Sequence, residues 1–547
     1  MLIDVQSLYN RRNNSLFNRT AVGDLLEALG HNRPDDTALI AGPGAYSLPE
    51  NQSLTYGTYN AKANQFAQRL DQLGLERASR VLFICENSTE ALIAKFGTAK
   101  AGMVSVPANP SFSDDVMAYL IDLTQPQVLV IDAAFVRRFS AVLDPYTFQA
   151  KLVIPIGGQV LDSYQDFNEY LRGQAQVQPN RYPIHGDDIW EILFTSGTTS
   201  WPKGVMISHH YSYHAASIYG MHMSRGVDQI HHYRVASFLP LIYHCADLTL
   251  AISALLYGGS LVFGRRQDAQ EMAEVLSQTQ ATAVWTGRID IMAEVFAVAQ
   301  KENLDLSAIT CLLYAYSHLE TELYQQIQSY CSPQVQVINS FSQTEVLAGF
   351  RLYHAGNEEL LSDHPGENVI GTADARLQHK LVPSSQETSG EVAYRSPAAF
   401  SGYYQNPQAT AAAIQDAWFH SGDVIDLEAP KQAIMVDRKK DMIKTGGENV
   451  SSARVESVLL RHPLVKQAAV VGMPDAYWGE AVTAVVSSDT LGEGDEDALI
   501  AFCHKYLAGF ECPKRVYFKD EIDESIGGKV KKASLKSWIR RRENEQA

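Results

Sequence analysis

The chain has few cysteines and few basic residues for its size, and it has no long uninterrupted apolar segment. Its 547 residues include six cysteines, which are scattered and lack metal-ligand spacing. Lysine and arginine number 45 against 62 aspartate and glutamate residues, a formal charge of −17 that argues against nucleic acid as a partner. No segment reaches the ~18 apolar residues that a membrane span needs. These absences predict a large globular protein with reduced, mostly buried thiols.

The N-terminus gives an expectation about location. Its first residues, Met1 to Gln6, include an early acid and no long apolar run, unlike a secretory signal. We therefore expect a cytoplasmic protein.

A loop rich in glycine and hydroxyl groups follows an apolar run that ends at Phe194. Glycine lets backbone N–H groups approach an anion, while hydroxyl groups and a lysine can donate to phosphate oxygens. The loop lacks the Walker order of glycine, four free positions and Gly-Lys-Ser/Thr, so it predicts a different way of holding ATP. The predicted phosphate ligands are Thr195, Ser196, Gly197, Thr198, Thr199 and Lys203.

Apolar strands alternate with helical segments along most of the chain. This alternation predicts a layered α/β architecture with mostly parallel sheets. A charged run at 438–441 then separates a smaller set of strands and helices. We therefore expect a large N-terminal domain of layered α/β subdomains, residues 1–439, and a small α+β lid domain, residues 440–547. The predicted segments include helices at 55–73 and 90–101 and strands at 80–85, 103–107, 127–132, 151–155, 234–239, 260–263, 283–285 and 335–338.

Further motifs follow in order through the second half of the chain. Together with the loop at 194–204, they resemble the adenylate-forming enzymes: acyl-CoA synthetases, carrier-loading adenylation domains and beetle luciferase. The resemblance extends from about residue 54 to residue 535. The motifs lie at 340–345, 390–397, 402–407, 418–423, 436–449, 472–475, 478–480 and 528–535.

The resemblance implies a reaction of ATP, Mg²⁺ and a carboxylic acid. The acid attacks the α-phosphate to give an acyl-adenylate, and a thiol, usually that of coenzyme A, then displaces AMP. Lys529 would neutralise the two anions that meet in the first step, and a carboxylate oxygen suits Mg²⁺. The implied roles are catalysis for Lys529 and Thr344, metal binding for Glu345, ribose binding for Asp423 and Arg438, and adenine stacking for Phe341.

The resemblance also implies an acyl pocket and a passage for the thiol. In relatives the C-terminal domain rotates about a hinge, here Lys440, between the two half-reactions. Rotation would bring the strand with the catalytic Lys444 to the site, where Gly446 and Gly447 leave room for a pantetheine arm. The implied acyl-pocket residues are His244, Cys245, Tyr314 and Tyr316.

Several positions differ from the family's usual residues, and three of them lie near the predicted nucleotide and acyl sites. Ser200 and Ser342 replace glycines, and Tyr316 lies in a segment that is glycine-rich in relatives. Either the pocket is reshaped for an unusual acid, or ATP use is impaired.

The prediction is a carboxylic acid–CoA ligase with a small-molecule acid and CoA as partners. Two alternatives stay open. One is a divergent enzyme of specialised metabolism that loads a carrier protein or only forms thioesters from a supplied acyl-adenylate. The other is a non-catalytic ligand-binding relative. The acid and the oligomeric state, a homodimer included, are left open by the sequence.

Overall fold

The computed structural model describes residues 20–195, 201–224, 233–315, 319–364, 368–382, 388–428, 432–446, 448–475, 477–524 and 530–546. Two large sheets and their helices form the N-terminal part, and a third, smaller sheet forms the C-terminal part. The predicted α/β class with a large N-terminal and a small C-terminal part is confirmed.

Helices occur in both the N-terminal and the C-terminal part of the chain. A 3₁₀ turn, Pro49–Asn51, lies before the strand Ser53–Thr55. The described α-helices are α1 (Val22–Asn32), α2 (Tyr56–Gln72), α3 (Thr89–Lys100), α4 (Asp114–Thr124), α5 (Ala133–Leu143), α6 (Phe167–Leu171), α7 (His209–Met223), α8 (Cys245–Leu256), α9 (Ala269–Thr279), α10 (Ile291–Glu302), α11 (Thr321–Tyr330), α12 (Glu358–Asp363), α13 (Pro407–Ala413), α14 (Ser452–Leu460), α15 (Glu496–Cys503) and α16 (Lys532–Gln546).

The strands fall into three hydrogen-bonded sheets. The described strands are β1 (Thr37–Ala41), β2 (Ser53–Thr55), β3 (Arg80–Ile84), β4 (Val104–Pro107), β5 (Val128–Asp132), β6 (Ala150–Ile154), β7 (Gln165–Asp166), β8 (Ile189–Thr195), β9 (Lys203–Ser208), β10 (Arg234–Ser237), β11 (Ser260–Phe263), β12 (Ala283–Gly287), β13 (Cys311–Tyr314), β14 (Gln336–Gln343), β15 (Val346–Tyr353), β16 (Asn368–Ala373), β17 (Gln378–Val382), β18 (Ser389–Arg395), β19 (Ile414–Gln415), β20 (Trp418–Glu428), β21 (Gln432–Arg438), β22 (Ile443–Thr445), β23 (Glu448–Val450), β24 (Gln467–Asp475), β25 (Gly479–Ser487) and β26 (Arg515–Phe518).

The first sheet has the strand order β7-β6-β5-β3-β4-β8-β9. Its neighbours are parallel except for β8 and β9, which form an antiparallel pair that places Thr195 opposite Lys203. Strands such as β5 are buried along their whole length, as expected where helices cover both faces of a parallel sheet. The predicted phosphate loop therefore starts at the end of β8, next to the edge strand β9.

The second sheet is half parallel and half antiparallel. Its order is β17-β18-β20-β21-β16-β15-β14-β13-β12-β10-β11-β1-β2, with β19 beside β20. Strands β11, β10, β12, β13 and β14 are parallel, whereas every pair from β14 to β17 is antiparallel. The expectation of mostly parallel sheets therefore holds for one half of this sheet. In the other half short hairpins join strands, and a hairpin requires antiparallel neighbours.

The C-terminal part is built on a five-stranded sheet of order β23-β22-β25-β24, with β26 beside β25. One core on this sheet includes residues of α14 and α15, and a second includes Leu535 and Ile539 of α16. The predicted boundary at 439/440 falls in the turn after β21, and its position stays a prediction.

Two further expectations concern thiols and membranes. Cys85, Cys311, Cys331, Cys503 and Cys512 are free and buried, as predicted. Across the described ranges, no helix combines the length and the apolarity that a membrane span requires.

Candidate active site

The turn between β14 and β15 lies at the centre of the predicted site. Strand β14 ends at Gln343, and Thr344 and Glu345 form the turn before β15. The Tyr211 hydroxyl donates to the carbonyl of Thr344 at 2.7 Å, and the backbone N–H of Phe400 donates to the carbonyl of Glu345 at 2.8 Å. Bonds from two different segments thus fix the backbone that carries both predicted side chains.

The segment 398–404 joins the two large sheets. On one side the N–H of Leu347, on β15, donates to the carbonyl of Ala398 at 3.1 Å. On the other side the N–H of Tyr404 donates at 2.7 Å to the carbonyl of Gly204, on β9. A connection of this kind brings the end of the phosphate loop to the β14–β15 turn.

Lys203, Tyr403 and Glu345 form a chain of contacts across this connection. The Tyr403 hydroxyl donates to Oε1 of Glu345 at 2.9 Å. The ammonium group of Lys203 lies 4.7 Å from the centre of the Tyr403 ring, within cation–π range. Burial, together with the Glu345 carboxylate, raises the pKa of Tyr403. The phenol therefore stays protonated at neutral pH and remains a donor to Glu345.

Asp423 and Arg438 face each other across β20 and β21. Nε of Arg438 lies 2.9 Å from Oδ1 of Asp423, and the Gln343 side-chain amide donates to the other carboxylate oxygen. Asp423 has no exposed surface in this arrangement. A ribose hydroxyl would therefore reach the carboxylate after Arg438 or Gln343 moves aside.

Phe341, the residue predicted to stack on adenine, lies on β14 and is partly buried. The next residue, Ser342, replaces the family's usual glycine, and its Oγ lies 3.3 Å from the hydroxyl of Tyr219. The structure therefore accommodates this serine with a polar partner.

The acyl-pocket predictions have different outcomes. Tyr314 is buried in the core between the second sheet and helices α9–α11, and its hydroxyl pairs with Nε2 of His354 at 2.8 Å. This placement does not support a role in a pocket, because the ring and the hydroxyl are both used in the core. His244 is half-buried and directly precedes α8, and other residues of its loop, 238–240 and 243, line a cavity.

The predicted lid residues lie on β22 and in the turns beside it. Lys444 is exposed, and Lys440 follows β21. Gly446 has a positive φ of 58°, and its N–H donates to Trp478 at 2.8 Å. A Cβ at this position would lie 3.1 Å from the Trp478 ring. The positive φ and the nearby ring thus favour glycine here, whether or not a thiol passes by.

Several predicted residues lie outside the described residues. They are Ser196, Gly197, Thr198, Thr199, Tyr316, Gly447 and Lys529, together with Ser200 and the side chain of Cys245.

Two residues of the site were not predicted from the sequence. Gln343 links the Asp423 carboxylate to the β14–β15 turn, and Tyr403 links Lys203 to Glu345. Both lie within motifs that were recognised, at 340–345 and 402–407. Each motif contains one of these residues, but a side chain's partner in a distant segment cannot be read from a motif.

Comparisons with known proteins settle the family. A family model described as "AMP-binding enzyme" matches residues 26–404. This chain belongs to the family of AMP-binding enzymes. The model of the family's C-terminal domain matches residues 454–529 of this AMP-binding enzyme.

Named relatives agree with the predicted enzyme class, an AMP-forming acid–thiol ligase. A long-chain-fatty-acid–CoA ligase of Mycobacterium tuberculosis is 29% identical over 496 residues, covering 90% of this chain and 94% of that protein. A feruloyl-CoA synthase of Amycolatopsis is 27% identical, covering 90% and 94%. The solved structure of a Mycobacterium tuberculosis fatty acyl CoA synthetase superposes with a TM-score of 0.71 at 26% identity, covering 96% of this chain and 99% of that one.

Proposed function

We propose that this AMP-binding enzyme is an ATP-dependent carboxylic acid–CoA ligase that acts through an acyl-adenylate. The observation that carries the proposal is the β14–β15 turn. It joins a phosphate-loop lysine, Lys203, and the carboxylate of Glu345 on one side to the Asp423–Arg438 pair on the other. This set of charges suits a nucleotide with its phosphates and ribose.

In the first half-reaction the acid's carboxylate attacks the α-phosphate, and pyrophosphate leaves. Two anions meet in this step, so the site must supply positive charge where negative charge develops. Lys203 serves the phosphates, Thr344 donates to the α-phosphate, and Lys529 spans the carboxylate and the α-phosphate. Asp423 accepts from the ribose hydroxyls, and Phe341 stacks on the adenine.

Magnesium fits the donors present at the turn. Mg²⁺ keeps several waters and takes one or two protein carboxylates plus substrate phosphates. Glu345 offers one carboxylate, which Tyr403 orients through its hydroxyl. Among the described residues, no group of three or more His, Cys, Asp or Glu side chains is placed to hold a metal ion. When bound, the ion would neutralise phosphate charge.

In the second half-reaction a thiol displaces AMP from the acyl-adenylate. We infer two domains, 1–439 and 440–547, that rotate about Lys440 between the half-reactions. Rotation would withdraw Lys529 and present the strand that carries Lys444, with Gly446 and Gly447 beside the thiol. The curated relatives named above are CoA ligases, which supports CoA over a carrier protein as the thiol.

Nucleotide binding is the first test. Calorimetry with ATP and AMP, each with Mg²⁺, should show binding of both. Pyrophosphate release is then followed with long-chain fatty acids and with hydroxycinnamic acids, and CoA thioesters are measured by mass spectrometry. Absence of ATP binding, combined with thioester formation from supplied acyl-adenylates, would overturn the adenylation half and support the thioesterification-only alternative.

The metal assignment has a test of its own. Glu345→Gln should raise the Mg²⁺ concentration needed for half-maximal pyrophosphate release, while Tyr403→Phe, which keeps the carboxylate, should raise it less. Glu359→Gln makes the same change at an exposed position of α12 and serves as the matched control. An unchanged Mg²⁺ requirement in Glu345→Gln would contradict the assignment.

A further inference from the structure

Two buried polar side chains hold the loop between β10 and α8, residues 238–244. The Asn87 side chain donates to the carbonyl of Leu239 at 2.8 Å and accepts from the N–H of Leu241 at 2.6 Å. The ammonium group of Lys95, on α3, donates to the carbonyl of Ile242 at 2.6 Å. The loop backbone is thus fixed two residues before His244.

Lys95 also connects this loop to β8. Its ammonium group forms an ion pair with Glu191, and both side chains are buried, at 0% and 1% exposure. Glu191 lies on β8, four residues before Thr195, where the phosphate loop starts. The Lys95 side chain therefore contacts both β8, which leads to the predicted phosphate loop, and the loop that leads to His244.

A buried ion pair of this kind is not explained by stability. Removing two charges from water is costly, and well-packed apolar residues in their place are often as stable or more stable. Burial raises the pKa of Glu191, against the attraction of Lys95, which is a sign of that cost. An ion pair that does not stabilise the fold can still fix one geometry.

The loop forms one wall of a cavity of about 380 Å³. Phe238, Leu239, Pro240 and Tyr243 of the loop line the cavity, together with residues of other segments such as Glu86 and Arg265. A shift of the loop backbone would change the shape of the cavity and the position of His244 together.

We propose that Lys95 is a positioning residue that fixes the 238–244 loop against β8 and so sets which acids fit beside His244. This inference rests on the proposed function, because it takes His244 as part of the acyl pocket. Lys95 would have no contact with the substrate and would act through the Ile242 carbonyl.

The test replaces both members of the pair. Lys95→Met alone would leave a buried carboxylate without its cation, so the main variant is Lys95→Met/Glu191→Leu. The matched control is Lys100→Met/Glu27→Leu. Lys100 is a buried lysine of the same helix that pairs with Glu27 at 2.7 Å.

Hydrogen–deuterium exchange gives a readout that does not depend on activity. In the Lys95 variant, the peptide spanning 238–248 should exchange roughly tenfold faster, as expected for the loss of one hydrogen bond from a charged donor. The control should leave that peptide unchanged. Equal exchange of the peptide in wild type and in the Lys95 variant would overturn the proposal. If the double variant fails to fold, Lys95→Arg takes its place. This substitution keeps the charge and moves the donor, so the exchange rate of the peptide should increase less.

Kinetics tests the link to the acid. The Lys95 variant should change the ratio of kcat/KM values between a long-chain and an aromatic acid, with the KM for ATP unchanged. A faster-exchanging loop with unchanged acid preference would overturn the specificity role. If wild-type protein releases no pyrophosphate with any acid, the proposed function fails, and the exchange comparison still decides whether Lys95 holds the loop.

Discussion

Arg438 and Asp423 form an ion pair across neighbouring antiparallel strands, with 2.9 Å between Nε and Oδ1. Gln343 donates to the same carboxylate from the end of β14. A fully buried carboxylate that is held by one ion pair and one hydrogen bond keeps a single orientation. The acceptor that we assign to the ribose is therefore in place before any nucleotide binds, and binding replaces one of these two partners by a ribose hydroxyl.

Replacing Asp423 by asparagine should weaken nucleotide binding. The amide keeps the shape but loses the charge that makes hydrogen bonds to the ribose hydroxyls strong. Hydrogen bonds to charged groups contribute about 1.5–3 kcal/mol, so affinity for AMP and ATP should fall roughly tenfold to hundredfold in calorimetry. Asp416→Asn, at an exposed turn before β20, is the control. Unchanged AMP affinity in Asp423→Asn would refute the ribose assignment.

An ion pair joins the two parts of the chain. Nη1 of Arg288, after β12, lies 2.9 Å from Oε2 of Glu524, six residues after β26. Partly exposed pairs contribute at most about 1 kcal/mol, so Glu524→Gln should lower the rate of pyrophosphate release by no more than about fivefold. Thioester formation from a supplied acyl-adenylate should not fall, because the proposed mechanism assigns that step to the other arrangement of the lid. Glu521→Gln, exposed in the same loop, should change neither rate.

A decrease of the thioester rate alone in Glu524→Gln would mean that the pair belongs to the second arrangement instead.

Lys532 anchors the start of α16 to α14. Its ammonium group lies 2.9 Å from Oε1 of Glu456 and donates to the Ser452 hydroxyl at 2.5 Å. Lys532→Met leaves the Glu456 carboxylate without its cation in a largely buried site, which should cost about 3–5 kcal/mol. Thermal unfolding measures the loss of stability, and Lys532→Arg should recover part of that stability. Lys531→Met, at the exposed neighbouring position, should unfold like wild type.

The proposed hinge lysine has an altered titration. Desolvation by the surrounding protein lowers the pKa of Lys440 from its ordinary 10.5, although more than a third of the residue stays exposed. A lowered pKa means a larger neutral fraction at every pH below 10.5, and the neutral amine is the form that reacts with acylating reagents. Peptide mass spectrometry over an alkaline pH series should show Lys440 acylated at lower pH than a free lysine peptide. Coincident titration curves would contradict this.

The first sheet could be predicted more fully than the second. Strands such as β3 and β5 are continuous apolar runs, and the predicted ranges 80–85 and 127–132 match Arg80–Ile84 and Val128–Asp132. The sequence does not predict strands β15 to β17. In β17, for example, no residue is fully buried, so hydrophobicity gives little signal, and pairing with β18 is what makes it a strand.

The residues of the candidate site were likewise predicted only in part. Glu345, Asp423, Arg438 and Lys203 were recognised from motifs, and the structure brings them to one turn. Tyr403 and Gln343 were missed because their partners lie 58 and 80 residues away in the chain. The resemblance implies a pocket role for Tyr314, whereas its hydroxyl pairs with His354 in the core.

The pairing of segment 398–404 with β9 has a consequence for how the protein is made. Strand β9 is the edge of its sheet, and the residues that pair with its free side are synthesised about 200 positions later. At typical synthesis rates of 5–20 residues per second, the ribosome carries an unprotected strand edge for roughly 10–40 seconds. Bare edges pair readily with other chains. Fragments that end before residue 398 should therefore aggregate on expression, whereas the intact chain covers the edge with its own later sequence.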